Sequence, residues 1–327
     1  MDYEFKDCSD AGSEYCPCHL ADSGECILCS QLSGKVFCDC INWKGVCIYN
    51  EYTLNANKAN KMRESCQCKI IKKELLEDNL VLFTFKVPHK LAGELVYPGS
   101  FIFLRNPKTV EYYDTPISIM EADSELNTLK VAIEKRGIKS KTLFKMEEGE
   151  NISIKAPYWN GILGLKNVYN AKQGTVVVVC RGIGIAPSIP AIKKLHSNGN
   201  RIIVILDRNP FNSEFGEEYL KDYGAELYKC STLNQGSLSE EFKKLLTNIL
   251  STESINLIHC DGPDILIYEL LNFIDGGIKF SCCNNAKMCC GEGICGTCST
   301  RYKKHVVKRL CKMQVEPKYI FKGRRLI

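Results

Sequence analysis

No stretch of the 327 residues approaches the roughly eighteen consecutive apolar positions of a membrane span, so no helical passage through a bilayer is expected. The opening Met1-Asp2-Tyr3-Glu4-Phe5 lacks the basic and apolar runs of a secretory signal, and a cytoplasmic location is expected. An excess of one charge is missing too, since 43 Lys and Arg stand against 38 Asp and Glu for a net +5. Nor is there a nucleic-acid motif or an interleaving of aromatic with basic residues, which argues against nucleic acid as a partner. No internal repeat or low-complexity segment is evident along the chain. What remains, 45% hydrophobic and 25% charged residues, is the composition of a soluble protein long enough for two or three domains.

Cysteine is what the chain has in plenty: 20 residues, ten before position 69, seven after position 281 and three between. In a reducing compartment such blocks are more often metal or cluster ligands than disulfides. The run Cys289-Cys290-Gly291-Glu292-Gly293-Ile294-Cys295-Gly296-Thr297-Cys298 holds the clearest pattern. Cys290, Cys295 and Cys298, with Cys311 as a distant fourth, give C-x4-C-x2-C, the plant-type spacing for a 2Fe-2S cluster. The interleaved glycines let the backbone fold tightly around such a core. Four thiolates also suit zinc, but zinc usually takes two C-x2-C hairpins, whereas here three ligands crowd one loop.

Composition divides the remainder. Residues 1–68 are cysteine-rich with little apolar period, and metal crosslinking is the expected source of their stability. Candidate ligands there are Cys16, Cys18, Cys26, Cys29, Cys38, Cys40 and Cys47, with Cys8 before them and Cys66 and Cys68 after, and zinc and an additional iron-sulfur centre both fit. Residues 69–168 read as short strands (Leu80 to Val87, Phe101 to Arg105, Ile117 to Met120, Leu129 to Lys135, Ile152 to Ala156) and predict a small antiparallel β-barrel. Residues 169–275 alternate strands (Thr175 to Cys180, Arg201 to Asp207, Glu226 to Cys230, Ile255 to Cys260) with helical patterns such as Leu238 to Leu250. That alternation predicts an α/β domain with a parallel sheet. Residues 276–327 form the cluster segment, giving a multidomain α+β architecture. Its end is basic, with Arg301, Lys303, Lys304, Lys308, Arg309, Lys312, Lys318, Lys322, Arg324 and Arg325 against Glu316 alone, a patch able to dock an acidic partner or to keep the protein soluble.

Ligands of a parallel sheet sit at the carboxyl ends of its strands, so Cys180-Arg181-Gly182, Asp207-Arg208 and Cys260-Asp261-Gly262 should share one crevice. Gly182 and Gly184, ahead of Pro187 and a helix from Ser188 to Leu195, make a strand-to-helix turn that admits a pyrophosphate. Asp207 can accept from a ribose hydroxyl, while Arg208 can meet a 2′-phosphate, so NAD(H) and NADP(H) both remain, with NAD(H) favoured.

Pro98-Gly99-Ser100-Phe101, Thr115-Pro116-Ile117-Ser118, Gly137-Ile138-Lys139-Ser140-Lys141-Thr142 and Pro157-Tyr158-Trp159-Asn160-Gly161 occur in an order that resembles the ferredoxin-NADP reductase superfamily. Within it, residues 69–327 are most similar to the electron-transfer subunit of dihydroorotate dehydrogenase and to related subunits of sulfide dehydrogenase and bifurcating transhydrogenase. The resemblance implies an FAD and 2Fe-2S oxidoreductase passing electrons between NAD(P)H and a partner, either a flavin-containing catalytic subunit or ferredoxin. It implies that Thr115, Pro116, Ile117 and Ser118 line the flavin, that Ala132, Ile133 and Glu134 contact it, and that Gly137, Lys139, Ser140 and Thr142 open a helix at the FAD pyrophosphate. Relatives usually carry arginine where this chain has Thr115, and Arg105, Lys139 or Lys141 stands in. Cys260-Asp261-Gly262-Pro263 resembles a C-G-P element whose cysteine lies near the nicotinamide, here with Asp261 added; a strand-end thiol is otherwise a small core residue. No side chain is singled out as a general acid or base. A metal-stabilised scaffold with a degenerate flavin site, and a self-sufficient ferredoxin reductase, are the alternative readings.

Overall fold

The computed structural model describes residues 6–40, 43–303 and 306–321. Met1 to Phe5, with Lys304, Lys322, Arg324 and Arg325 of the basic tail, lie outside the described residues.

The cysteine-rich segment holds only two short helices, α1 (His19–Asp22) and α2 (Ile48–Leu54), around a core of Ala21, Leu32 and Ile48. Burying a Leu or Ile side chain contributes about 1.5–3 kcal/mol, so Leu32 and Ile48 with the smaller Ala21 cannot offset the ordering of so many loop residues.

Next come β1 (Ser65–Glu77), β2 (Leu80–Lys86), α3 (His89–Glu94), β3 (Phe101–Arg105), β4 (Thr115–Ser118), β5 (Glu121–Asp123), β6 (Thr128–Glu134), α4 (Ile138–Phe144) and β7 (Asn151–Tyr158). The strands form one antiparallel sheet in the order β4-β3-β7-β1-β2-β6-β5, and it curls until β4 packs beside β6. Inward residues such as Ile70, Phe83, Phe85, Ile102, Val131 and Ile154 fill it. The expected strands are present, Phe101–Arg105 as expected and the others with ends shifted by at most two residues. β1 was not expected: Ser65-Cys66-Gln67-Cys68-Lys69-Ile70-Ile71-Lys72-Lys73-Glu74 buries only Cys68 and Ile70 within a charged run, yet it sits centrally between β7 and β2.

The second sheet uses β8 (Ile162–Leu163), then after α5 (Leu165–Asn170) β9 (Thr175–Arg181), α6 (Ile185–Ser197), β10 (Arg201–Asp207), α7 (Glu217–Asp222) and β11 (Glu226–Lys229). A small hairpin of β12 (Leu233–Asn234) and β13 (Ser237–Leu238) leads into α8 (Glu240–Thr252), β14 (Ile255–Asp261), α9 (Asp264–Phe273) and β15 (Phe280–Cys283). The order is β11-β10-β9-β14-β15-β8, parallel except for the β15–β8 pair. Near-continuous apolar strands such as Thr175–Arg181 suit a sheet covered on both faces. The strand order reverses beside β9, which places the ligand crevice at its carboxyl end. A last hairpin, β16 (Ser299–Tyr302) and β17 (Val306–Arg309), follows the cysteine loop. No helix among the described residues is long and apolar enough to cross a membrane.

The basic end is not all surface, which corrects the reading of it as one charged patch: Lys312 and Lys308 are buried, Lys312 completely.

Candidate functional site

The three strand ends meet as expected. Arg181 at the end of β9 pairs with Asp207 at the end of β10, and the backbone of Gly184 lies against the carbonyl of Asp261 at the end of β14. Both turn glycines are required. Gly182 has φ +55° with Asn209 O only 2.8 Å from where a Cβ would stand, and a Cβ on Gly184 would collide with the Asp261 carbonyl. Pro187 falls in the first turn of α6, where its missing N–H has no intrahelical partner to lose.

Asp207 is not open to a ribose hydroxyl as expected. Its Oδ2 accepts from Thr232 N and Oγ1, both at 2.7 Å, as well as from Arg181, and its Oδ1 accepts from Asn209 Nδ2 at 2.8 Å. The carboxylate is buried and organises the crevice wall. Arg208, the expected 2′-phosphate contact, is held by Glu214 at 2.7 Å and by Glu217 at 2.5 Å. Cys260 is fully buried in the core with Val179 and Cys282, so it is the small core residue and not a thiol facing the crevice. The added Asp261 turns inward as well, accepting from Ser188 Oγ at 2.7 Å and lying 3.0 Å from His259 Nε2, while Gly262 packs against Arg181.

On the flavin side, Thr115, Pro116, Ile117 and Ser118 form half-exposed β4, and Ala132, Ile133 and Glu134 end β6, with Ala132 and Ile133 buried. The hydroxyls of Ser140 and Thr142 are not free for an anion. Ser140 Oγ accepts from Arg136 N at 2.9 Å and Gly137 N at 3.1 Å, and Thr142 Oγ1 donates to Lys139 O at 2.7 Å. Ser140 therefore shapes the entry to α4 instead of offering its side chain. Two cations lie beside Thr115: Arg105 pairs with Asp114 at 2.9 Å, and Lys139 Nζ donates to Asp114 O at 2.9 Å.

The cysteine loop docks on the barrel. Gly291, Gly293 and Gly296 have φ of +71°, +75° and +74°. A Cβ on Gly291 would strike Tyr158 and come within 3.0 Å of Phe103, both in an aromatic group with Phe101. Cys298 and Cys311 are paired, Cys311 N donating to Cys298 Sγ at 3.4 Å, and Cys311 lowers the Cys298 thiol to about 6. Burial acts to raise the Cys295 thiol, but hydrogen bonds with Thr297 and Cys290 bring it down to about 7. Glu292 N donates to Cys290 Sγ at 3.3 Å. Cys295 and Cys298 are thus drawn toward the thiolate, while Cys311 is pushed the other way by its hydrogen bond with Cys298 and by burial; four cysteines gathered around one loop have the donor chemistry of an iron-sulfur site. Among the described residues, however, no three His, Cys, Asp or Glu side chains converge tightly enough to enclose a single metal ion.

A buried ion network beneath the loop escaped the sequence reading. Arg63 donates to Asp10 at 3.0 Å and to Glu292 at 3.2 Å, and Lys312 Nζ reaches Asp10 at 2.8 Å and Glu292 at 3.1 Å. Tyr158 OH donates to Glu292 Oε1 at 3.3 Å, and Arg63 also donates to Pro157 O. The Arg63 guanidinium lies 4.0 Å from the Tyr15 ring centroid and 4.5 Å from that of Tyr158. Burial alone would raise the Asp10 carboxyl and lower Lys312, but the opposite charges prevail and hold both groups ionised. Two cations and two anions joined this way link the cysteine-rich segment, the barrel and the cysteine loop. No local signal marks it, because the partners are far apart in sequence.

A cavity of about 560 Å³ lies elsewhere, at the entry to β15 among Lys166, Ile274, Tyr302 and Tyr319.

Residues 67–161 match the oxidoreductase FAD-binding domain. The electron transfer subunit of dihydroorotate dehydrogenase B (NAD(+)) of Clostridium acetobutylicum is 27% identical over 217 residues, 65% of this chain and 81% of that protein. A probable subunit of the same name from Pyrococcus abyssi is 28% identical over 204 residues, 62% of this chain and 73% of its own. A solved NADH-dependent reduced ferredoxin-NADP oxidoreductase superposes with a TM-score of 0.62 at 18% identity, covering 80% of this chain and 90% of that one. For a ferredoxin-NADP+ reductase of Plasmodium falciparum the TM-score is 0.51 at 13% identity, with 67% and 96% covered.

Proposed function

We propose that this chain, an oxidoreductase with an FAD-binding domain on the ferredoxin-NADP reductase fold, is an electron-transfer subunit that links a nicotinamide pool to a partner oxidoreductase through FAD and a 2Fe-2S cluster. The observation that carries this reading is the docking of the cysteine loop on the FAD-binding domain, where Gly291 packs against Phe103 and Tyr158, and Lys139 lies near enough for its charge to act on Cys289. FAD, when bound, supplies the conversion between two-electron nicotinamide chemistry and one-electron cluster chemistry.

The chain's own residues bind and orient. Thr115 to Ser118 and Ala132 to Glu134 offer the edge of the barrel to the flavin, with Lys139 and Arg105 supplying positive charge beside Asp114 for its phosphates. The Gly182–Gly184 turn at the start of α6 presents backbone N–H groups to the nicotinamide dinucleotide. With Arg208 neutralised by Glu214 and Glu217, NADH fits better than NADPH. Cys290, Cys295, Cys298 and Cys311 hold the cluster, and Cys295 and Cys298 already favour the thiolate. The partner is a flavin-containing catalytic subunit; that the similar proteins are named electron transfer subunits of a dihydroorotate dehydrogenase supports a partner subunit.

Anaerobic absorbance with flavin and iron quantified per chain tests this. The unaltered chain should carry FAD and bleach on NADH, and a Cys295→Ser, Cys298→Ser variant should lose the two irons of one cluster while keeping its flavin. A reconstituted chain without flavin, or equal iron in both proteins, overturns the reading.

A further inference from the structure

The cysteines of the N-terminal segment are sorted by the fold. One small cavity is lined by Cys8, Cys16, Cys18 and Cys26, and a second by Cys29, Cys38, Cys40 and Cys47; Leu28 and Ile48 line both, so the cavities stand back to back. Most through-space contacts follow the same division, with Cys26 and Cys29 as the contact between the two sets. Cys18 acts electrostatically on Cys8, Cys16 and Cys26, while Cys40 is affected by Cys38, Cys47 and Cys29.

This division exposes a repeat that the linear reading missed. The first set is spaced C-x7-C-x-C-x7-C and the second C-x8-C-x-C-x6-C, so each runs from its first to its last cysteine over the same span, 8 to 26 and 29 to 47. Cys18 and Cys40, central to their neighbourhoods, are the third cysteine of each set. The sulfurs are also dressed alike: Cys29 N donates to Cys26 Sγ at 3.4 Å, and Asn50 N donates to Cys47 Sγ at 3.4 Å. Backbone N–H groups pointing at sulfur at the close of each set suit thiolates bound to metal. Cys66 and Cys68, paired on β1, line neither cavity.

We propose that the N-terminal segment is a duplicated module holding two separate thiolate-bound metal centres, one on Cys8, Cys16, Cys18 and Cys26 and one on Cys29, Cys38, Cys40 and Cys47, each set lining one cavity and its side chains closing inward only on binding the metal. The ligand class is a thiophilic metal, either zinc or iron in an iron-sulfur cluster, since four thiolates serve both. Two centres explain how so long a segment stays folded around so small a core as Ala21, Leu32 and Ile48. The first centre lies toward the cysteine loop: Leu20 stands 3.1 Å from where a Cβ on Gly293 would be, and the charge of Lys312 acts on Cys8. The inference does not depend on what that loop holds.

Zinc and iron are counted in the full chain purified anaerobically, alongside Cys18→Ser, Cys40→Ser and the double variant. The C-terminal cysteines are common to all four, so their metal subtracts out. Each single variant should lose one centre, and the double variant both, in two equal steps. Zinc in these steps makes the module structural, whereas iron makes it an added electron path; either supports two centres. Because a variant can unfold the module, the unaltered chain is also treated with a thiol-alkylating reagent. The eight cysteines should be protected until a chelator is added, while exposed Cys289 reacts at once. No change in metal across the four proteins, a single N-terminal centre in the unaltered chain, disulfides among the eight, or alkylation as fast as at Cys289 overturns the proposal.

Discussion

Arg63 and Glu292, 229 positions apart, form a buried ion pair in which the guanidinium Nη1 reaches both carboxylate oxygens at 3.2 Å. The pair joins the strap that leaves the cysteine-rich segment to the loop that carries Cys290 and Cys295. Lys312 and Asp10 complete it, so no charge in the group is left without an opposite neighbour.

Removing one member should therefore cost far more than a surface ion pair would. Arg63→Met leaves Asp10 and Glu292 sharing Lys312 alone, and a loss of about 3–5 kcal/mol is expected. Thermal unfolding should shift downward, and limited proteolysis should cut ahead of β1 before it cuts the barrel.

Gly291→Ala and Gly296→Ala make a controlled comparison. Both residues are left-handed, which costs a non-glycine residue about 1–2 kcal/mol. Only Gly291 also meets a wall, in Tyr158 and Phe103, whereas the nearest atom at Gly296 is Ser299 Oγ at 3.8 Å. Gly291→Ala should lower iron content sharply with flavin retained, and Gly296→Ala should lower it less; equal losses would show that docking on the barrel is immaterial.

Gly184→Ala places a methyl group against the Asp261 carbonyl without touching the barrel. NADH should then fail to bleach a flavin that dithionite still reduces. Loss of the flavin itself would mean that the two sheets are not separable in this way.

Coenzyme choice should rest on Glu217, which neutralises both Arg208 and Lys229. Glu217→Gln removes the carboxylate facing Lys229 and leaves Arg208 to Glu214 alone, and should shift the NADPH-to-NADH ratio of kcat/KM severalfold toward NADPH. An unchanged ratio would place the discriminating contact elsewhere.

The strands were legible wherever their pattern was local. Thr175–Arg181 and Arg201–Asp207 are apolar runs bounded by turn residues, and their ends converge as the topology demands. β1 was hidden because a central strand with one curled face buries few of its own side chains and can carry lysines and glutamates on the other. Single-residue roles were less legible. Asp207, Ser140 and Cys260 were chosen for chemistry their types allow, but each is committed to neighbours: Asp207 to Thr232 and Arg181, Ser140 to the turn at Arg136, and Cys260 to the core. Lys312 read as surface charge because its partner Asp10 lies 302 positions away.

That separation sets an order on how the protein is made. On a ribosome the segment around Asp10 emerges some three hundred residues before its seat, formed by Arg63, Glu292 and Lys312 with Ser9 N donating to Lys312 O, is finished. Until the loop around Glu292 and Lys312 has been made, the cysteines near Asp10 stay undocked, and the docking of that loop closes over them.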